Sequence, residues 1–473
     1  MFPPTTDLEP TPRSTAARLG WPSLFPALFD YGVPLVALLF FTVVGVSFLH
    51  EGKESQWIDC YVKASRRLQN AETIHRIEPV AYAYPPAMAM LAAPLANLPD
   101  DWSIAAWYAV NVVATCAAFT CAWRLAGGPG LIGFSWKWHA VFWVGVLLSL
   151  RFMLAALENH QTDMVIAAFV LAGGCRYWRG NGIGAAVWWG VAAAMKCTPA
   201  LFGVYLLWRG RWRPALVMAS IALSLNFLPD LLWPQPDGGS YAMDWSRTFL
   251  SRVGQDAPGA WFSDVLLNQS LAGMVNRVAT FGWPWTSAAL LDRAVAAPTW
   301  PPLLMRGIVY GGSLLLLGLS IRRWGVIGKQ PAPVFAYEPP PVGWHKLHVG
   351  MDVAMIVCLM LLLSPMSSKA HYAVMILPAL FVARRVVERP TRGWLAVVAC
   401  LIIAGPLTAK GLLGKSLGDL TLAWGLPTWF VVLALLSLWR LRDTAHERHP
   451  RQSGIDLTPY SHSAAGKQRL RAA

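Results

Sequence analysis

Apolar runs of roughly 17–25 residues, separated by short polar turns, recur from about residue 33 almost to residue 440. A run of that length spans a bilayer as a helix, so the pattern predicts an all-α polytopic membrane protein. Composition agrees: the 473 residues are 55% hydrophobic and 14% charged, against about 25% charged in soluble domains. The net charge of +14 would suit a nucleic-acid partner in a soluble chain. Here Lys and Arg are expected to gather in cytoplasmic loops instead, and we expect no nucleic acid. The seven cysteines are mostly isolated in apolar runs, with no spacing for zinc or a disulfide framework.

Arg13 and Arg18 precede the first run, residues 33–49, and no convincing cleavage site follows, so the run reads as an uncleaved signal anchor after a cytoplasmic N-terminal segment, residues 1–32. Residues 1–16 and the cytoplasmic tail at 442–473 have the composition of disordered ends. Between them, residues 33–441 form one transmembrane domain. From an inside N-terminus, spans fall at 33–49, 102–124, 139–157, 164–178, a pair within 183–208, 213–233, 302–321, 350–364, one ending at Arg384, 393–409 and 420–440. Residues 183–208 are basic at both ends. Two short helices meeting at Lys196-Cys197-Thr198-Pro199 would keep both basic clusters inside, and Pro199 suits the first turn of the second. The loops at 50–100 and 234–300 then lie outside, and Pro86 to Leu98, too short to cross, is expected to lie in the outer leaflet as an interfacial helix. Most basic residues fall on the cytoplasmic side, as the positive-inside rule requires.

That topology brings several polar residues, none used to set it, to the outer side. Asp59, flanked by Trp57, Cys60 and Tyr61, is either a solvated loop acid or a carboxylate whose aromatic setting suits proton abstraction. Tyr84-Pro85-Pro86 fixes the backbone where the chain enters the bilayer. Glu158, His160, Gln161 and Asp163 crowd one turn between two spans, as loop polarity or as a site, and Arg151 lies on the same helix face as Glu158. Lys196, Lys369 and His371 are cations or donors suited to a lipid-linked phosphate, and any one alone can be structural. Asn268 and Gln269 can hydrogen-bond sugar hydroxyls, and Trp261 can stack on a sugar ring; Asn268-Gln269-Ser270 is also a common glycosylation triplet.

Together these pieces resemble glycosyltransferase family 87, polyprenol-phosphate-mannose-dependent mannosyltransferases of the GT-C superfamily. The matching stretches are Asp59-Cys60-Tyr61, Tyr84-Pro85-Pro86, His160-Gln161-Thr162-Asp163, Lys196-Cys197-Thr198-Pro199, Asn268-Gln269-Ser270 and Ser364-Pro365 to His371, in the family's order. The chain departs from that pattern at Ser368 and Ala370, where Trp and a paired His are usual, and at His160, where Gly is usual. The resemblance implies a GT-C-like bundle of about twelve transmembrane helices. It also implies inverting transfer of a hexose, usually mannose, from a polyprenyl-phosphate donor to a lipid or glycan acceptor outside the cytoplasm. Asp59 would be the general base, and Lys196 and His371, with Lys369, would hold the donor phosphate.

The chemistry is coherent on the residues alone. Cations that bind the phosphate oxygens stabilise the charge that develops on departure, while Asp59 takes the acceptor proton. No cofactor is required; a divalent metal is possible but not implied, since Asp59, Glu158 and Asp163 offer oxygen ligands. Two other readings fit a membrane chain with these residues. One is a secondary transporter of an anionic or lipid-linked substrate, with broken helices at Lys196. The other is a non-catalytic lipid-binding subunit.

Overall fold

The computed structural model describes residues 24–50, 55–75, 82–129, 136–251, 258–259, 266–281, 298–324 and 344–447. Among these every regular element is helical, with no strand. In chain order the helices are α1 Leu24–Phe48, α2 Lys63–Gln69, α3 Pro86–Ala96, α4 Asp100–Leu125, α5 Trp136–Glu158 and α6 Asp163–Trp178. They continue with α7 Gly182–Met195, α8 Leu201–Trp208, α9 Trp212–Leu232, α10 Tyr241–Trp245, α11 Leu271–Phe281 and α12 Pro302–Arg323. The last five are α13 Trp344–Leu362, α14 Ile376–Glu388, α15 Arg392–Ala404, α16 Lys410–Ala423 and α17 Leu426–Glu447. A π-helical turn, Trp57–Val62, leads into α2, and a 3-10 segment, Lys369–Met375, leads into α14.

Among the described residues, five helical stretches are long and apolar enough to cross a membrane: α4, α5, α9, α12 and Lys369–Glu388. A sixth is the pair α15 and α16 if it counts as one span, although the two are bent by 97°. Several other apolar runs fold as helices of 10–17 residues, shorter than a bilayer needs from one straight helix. An apolar run therefore does not guarantee a continuous helix. The outward faces of the long ones are apolar, as at Leu216, Leu223 and Leu231 on α9 and Leu303, Leu314 and Leu315 on α12, the surface expected against lipid.

Local chemistry sets the ends. Asp100 and Asp101 lie in the first turn of α4 and Arg124 in its last, each complementing the helix dipole. The Asn181 side chain caps α7 by accepting from the Gly184 N–H at 2.7 Å. At Lys196 the backbone becomes extended and α7 stops; Pro199 then sits in a 3-10 turn that opens α8. The Trp189 ring stacks on Phe202 with centroids 4.3 Å apart, and Tyr177 touches both Trp189 and Tyr205. The chain therefore doubles back at Lys196, and residues 183–208 are two short helices. Residues 86–98 give α3, which is buried along most of its length and packs on α2, the π-turn and α9. Protein rather than lipid covers it on those sides.

Helices approach closely where glycine allows it. A Cβ on Gly350 of α13 would collide with the Leu125 carbonyl oxygen of α4, and one on Gly145 of α5 would run into Leu380 of α14. Small residues at such crossings replace the hydrophobic driving force that a lipid solvent does not supply.

One end of the bundle is held by arginines. Arg384 donates to the Ala126 carbonyl at 2.7 Å and pairs with Glu388 at 2.7 Å. Arg209 donates to the Trp324 carbonyl at 3.1 Å, and Arg323 pairs with Asp443 at 2.8 Å. Deeper, Asp352 accepts from the Tyr205 hydroxyl at 3.0 Å and lies 3.6 Å from Arg442. The C-terminal ends of α4, α6, α8, α12, α14 and α17 meet there.

Candidate active site

The opposite end begins with the turn between α5 and α6. His160 adopts a left-handed backbone, φ 53°, where its N–H and that of Gln161 reach back to the Leu157 and Ala156 carbonyls, both at 3.0 Å. This is the way a helix C-terminus satisfies its last carbonyls. The His160 ring is buried, stacked on Phe48 with centroids 3.7 Å apart. Its Nδ1 lies 2.7 Å from the Ser55 hydroxyl, and its carbonyl accepts from Trp107 Nε1 at 3.1 Å. His160 thus ties α1, residue 55 and α4 to the turn, and it is not presented to a substrate.

Gln161 is a cross-brace. Its side-chain carbonyl accepts from the Tyr61 hydroxyl at 3.2 Å and the Tyr84 hydroxyl at 3.3 Å, while its amide donates to Gln56. Burial holds both phenols well above their ordinary range, so they remain neutral donors. Tyr84, expected only to shape the backbone before Pro85, therefore also places Gln161.

Asp163 opens α6, and Lys196 lies at the break between α7 and α8. The Lys196 ammonium sits 2.8 Å from Asp163 Oδ1, with the side chains 14% and 5% exposed. The ammonium is also 5.7 Å from the centre of the Tyr84 ring. Asp163 Oδ2 is buried with no hydrogen-bond partner among the described residues. Asp163, Lys196 and His371 line one small cavity of about 20 Å³, with Thr198, Ser364 and Ser367 among their neighbours. That volume holds little more than one water, so a bound anion has to part Lys196 from Asp163 or displace side chains around them.

His371 enters this cavity from the 3-10 segment. The Ser368 N–H donates to His371 Nδ1 at 3.1 Å. With Nδ1 accepting, the neutral ring carries its proton on Nε2 and has a donor to offer. The strand of loop that carries it is held by Asn268-Gln269-Ser270. Asn268 donates to the Pro365 carbonyl at 2.9 Å and accepts from the Ser367 N–H at 3.2 Å. The Gln269 side-chain amide donates to Leu266 and Leu422 carbonyls at 2.7 and 3.0 Å, and the Gln269 main-chain carbonyl accepts from Tyr372 and Thr428, each at 2.6 Å. Both side chains are buried. They position the loop: the amide donors expected to meet sugar hydroxyls are taken up by protein carbonyls, while Gln269 Oε1 is buried with no hydrogen-bond partner among the described residues. Trp261 lies outside the described residues.

Asp59 is placed differently from the setting its neighbours suggested. Trp57 stacks on Trp107 with centroids 3.9 Å apart and donates to Ser103 at 2.9 Å; it and Tyr61 are buried. The Asp59 carboxylate is not shut in with those rings: it is 38% exposed and 2.6 Å from the Lys63 ammonium. Its thiol neighbour Cys60 is pushed up to about 12 by burial and then by Asp59, which keeps it protonated. Asp59 does not line the cavity of Lys196 and His371. The link runs through Tyr61, two residues on, to Gln161, two residues before Asp163. The π-turn matters for this link, since such turns re-register a helix and frequently occur at functional sites.

Two further residues of the expected site lie outside this cavity. Glu158 is exposed at the end of α5. Lys369 is not among the residues lining the cavity, although it precedes His371 by only two positions. The carboxylates suggested for a metal are separated by their partners, Asp59 on Lys63 and Asp163 on Lys196. Among the described residues no three His, Cys, Asp or Glu side chains gather to hold an ion.

The chain is similar to known proteins over a region that includes Asp163 and Lys196. The family model of glycosyltransferase family 87 matches residues 82–338. A polyprenol-phosphate-mannose-dependent alpha-(1-2)-phosphatidylinositol pentamannoside mannosyltransferase of Mycobacterium tuberculosis (strain CDC 1551 / Oshkosh) is 26% identical over 230 residues, covering 46% of this chain. The match covers 48% of that relative, so the chain spans about half the length of the curated protein it resembles. The crystal structure of ArnT from Cupriavidus metallidurans bound to undecaprenyl phosphate aligns over 90% of this chain and 79% of its own, at 16% identity and a TM-score of 0.38. With the family model matched over more than half its length, the chain belongs to glycosyltransferase family 87.

Proposed function

We propose that this protein is an integral membrane glycosyltransferase that moves a hexose, mannose, from a polyprenyl-phosphate donor to a lipid or glycan hydroxyl on the extracytoplasmic side. The observation that carries this reading is the cavity where Lys196, at a broken helix, meets the Nε2–H donor of His371 and the Asp163 carboxylate. A lipid-linked phosphate needs such donors at the bilayer surface. The named relative uses a polyprenol-phosphate-mannose donor, which supports the same class here.

In the proposed reaction the acceptor oxygen attacks the anomeric carbon as the bond from that carbon to the phosphate oxygen breaks, with inversion. The acceptor proton passes to Asp59. The bonding pair leaves with the lipid phosphate, whose added charge Lys196 and His371 hold. Lys63 pairs with the Asp59 carboxylate at 2.6 Å and holds it in place. Asp163 keeps Lys196 charged in a buried place until the phosphate replaces it as partner. The arginine-rich end would face the cytosol along with both termini, and the shorter apolar helices would complete about twelve spans in pairs and tilted segments.

The test is transfer of labelled mannose from polyprenyl-phosphate-mannose by membranes containing the protein. Asp59→Asn is expected to abolish transfer while donor still binds, and Lys196→Ala or His371→Ala to weaken donor binding. Near-normal turnover in Asp59→Asn rejects the base, and unchanged donor affinity in both other variants rejects the phosphate site. The break at Lys196 beside a buried Asp163 also suits a transporter; substrate uptake into proteoliposomes without any transfer would establish that reading instead.

A further inference from the structure

Helix α9 turns mostly apolar side chains outwards, Leu223 and Phe227 among them, yet it carries Asn226 beside those two. A polar amide in a spanning helix is unfavourable unless it finds partners on neighbouring helices. Asn226 finds two. Its Oδ1 accepts from the Ala87 N–H of α3 at 3.1 Å. Its Nδ2 donates to the Ala222 carbonyl of its own helix at 2.8 Å and also to the Ala194 carbonyl of α7 at 3.4 Å. Close packing delivers the amide there. A Cβ on Gly190 of α7 would lie 2.9 Å from the Met218 carbonyl oxygen and from Ile221 of α9, and about one turn farther along both helices Ala194 meets Asn226.

Both partners are groups that helix geometry leaves unpaired. Ala87 lies in the first turn of α3, whose N–H groups have no intrahelical acceptor, and Ala194 in the last turn of α7, whose carbonyls have no intrahelical donor. Both residues are fully buried, so water cannot serve instead. The same two helix ends deliver side chains to the donor site. Lys196 follows Ala194 by two positions. Tyr84 precedes Ala87 by three, in a segment held by two further bonds: the Tyr82 hydroxyl donates to the Pro85 carbonyl at 3.1 Å, and Trp245 Nε1 to the Ala83 carbonyl at 3.0 Å. The Lys196 ammonium lies 5.7 Å from the centre of the Tyr84 ring. One amide therefore spans the two chain breaks that bring this cation and this ring together.

We propose that Asn226 is a positioning residue for the lipid phosphate. By tying the start of α3 to the end of α7 it sets Lys196 against Tyr84, and so sets where the ammonium stands when the phosphate replaces Asp163 as its partner. The inference rests on the reading of Lys196 as a phosphate ligand. Asn226 is not among the residues lining the cavity, and it acts through Lys196.

The test measures Kd for decaprenyl phosphate with the full chain in nanodiscs, read on the folded fraction so that lost protein does not register as weaker binding. Asn226→Leu keeps a branched side chain, removes both bonds to neighbouring helices, and should raise Kd about tenfold. Asn226→Ser, whose hydroxyl turns back to the Ala222 carbonyl, should do the same and carries the test if the first variant does not fold. The decisive comparison repeats each substitution in Lys196→Ala. There it should change Kd by less than about twofold, because nothing is left to position, whereas a merely structural role would leave the two losses additive. Binding within about twofold of wild type in the folded Asn226 variants, or additive losses, overturns the role of Asn226 and leaves Lys196 as the phosphate ligand. Wild-type affinity in Lys196→Ala sinks the phosphate site itself, and this role with it.

Discussion

Lys196 and Asp163 show how a residue's role depends on its partner. Each alone in an apolar run reads as a candidate ligand, yet together they are a buried ion pair at 2.8 Å. Removing one partner strands the other charge and typically costs about 3–5 kcal/mol, whereas an apolar pair of similar volume can be neutral. Lys196→Met is therefore expected to lower Tm sharply, and Asp163→Leu with Lys196→Met to recover most of it without recovering transfer. Thermal melts in one detergent beside the mannose assay check both halves; a double variant that is active would separate the pair from the chemistry. Asp59 contrasts with this, because its exposed pair with Lys63 is worth no more than about 1 kcal/mol, so Asp59→Asn should leave Tm nearly unchanged. The same contrast explains what could be read in advance. The residue types of the site were visible as polar breaks in apolar sequence. Which atoms are already occupied was not, and Asn268, Gln269 and His160 all look available until their buried partners are known.

Elements were legible where the sequence carries its own punctuation. The pair α7 and α8 follows from basic residues at both ends of too short a run, with Pro199 at the second start. The 11-residue α3 follows from its flanking prolines, but its burial against α2 and α9 does not, because a short apolar helix suits protein and lipid equally. Nor does the bend between α15 and α16, because most of α16 falls between the spans expected at 393–409 and 420–440. Close approach of helices is a further element-scale property. Gly350→Ala should force α13 away from the Leu125 carbonyl, at about 1–3 kcal/mol for overpacking. A fall in Tm with transfer reduced in proportion to folded protein is the expected result, and an unchanged Tm would show that α4 and α13 can separate freely.

At the scale of the molecule, the helix ends sort into an arginine-rich end and a site end. Glu72 and Arg124 are exposed, Glu72 following α2 beyond the Asp59 turn and Arg124 in the last turn of α4. In a cysteine-free background, an impermeant maleimide should label Glu72→Cys on intact cells and Arg124→Cys only after lysis. The reverse pattern would put the site on the cytoplasmic side and exclude the proposed sidedness.

The sequence by itself determined that this chain is helical and built for a bilayer, because hydropathy and charge distribution are properties of composition and order along the chain. It also marked the polar breaks from which any site had to be made. Only the tertiary structure decided that Lys196 meets Asp163 and His371, that Lys369 stays out of their cavity, and that Asp59 lies outside it on Lys63. The contacts of Lys196 join residues far apart in sequence, and packing alone selects which of the available polar groups find each other.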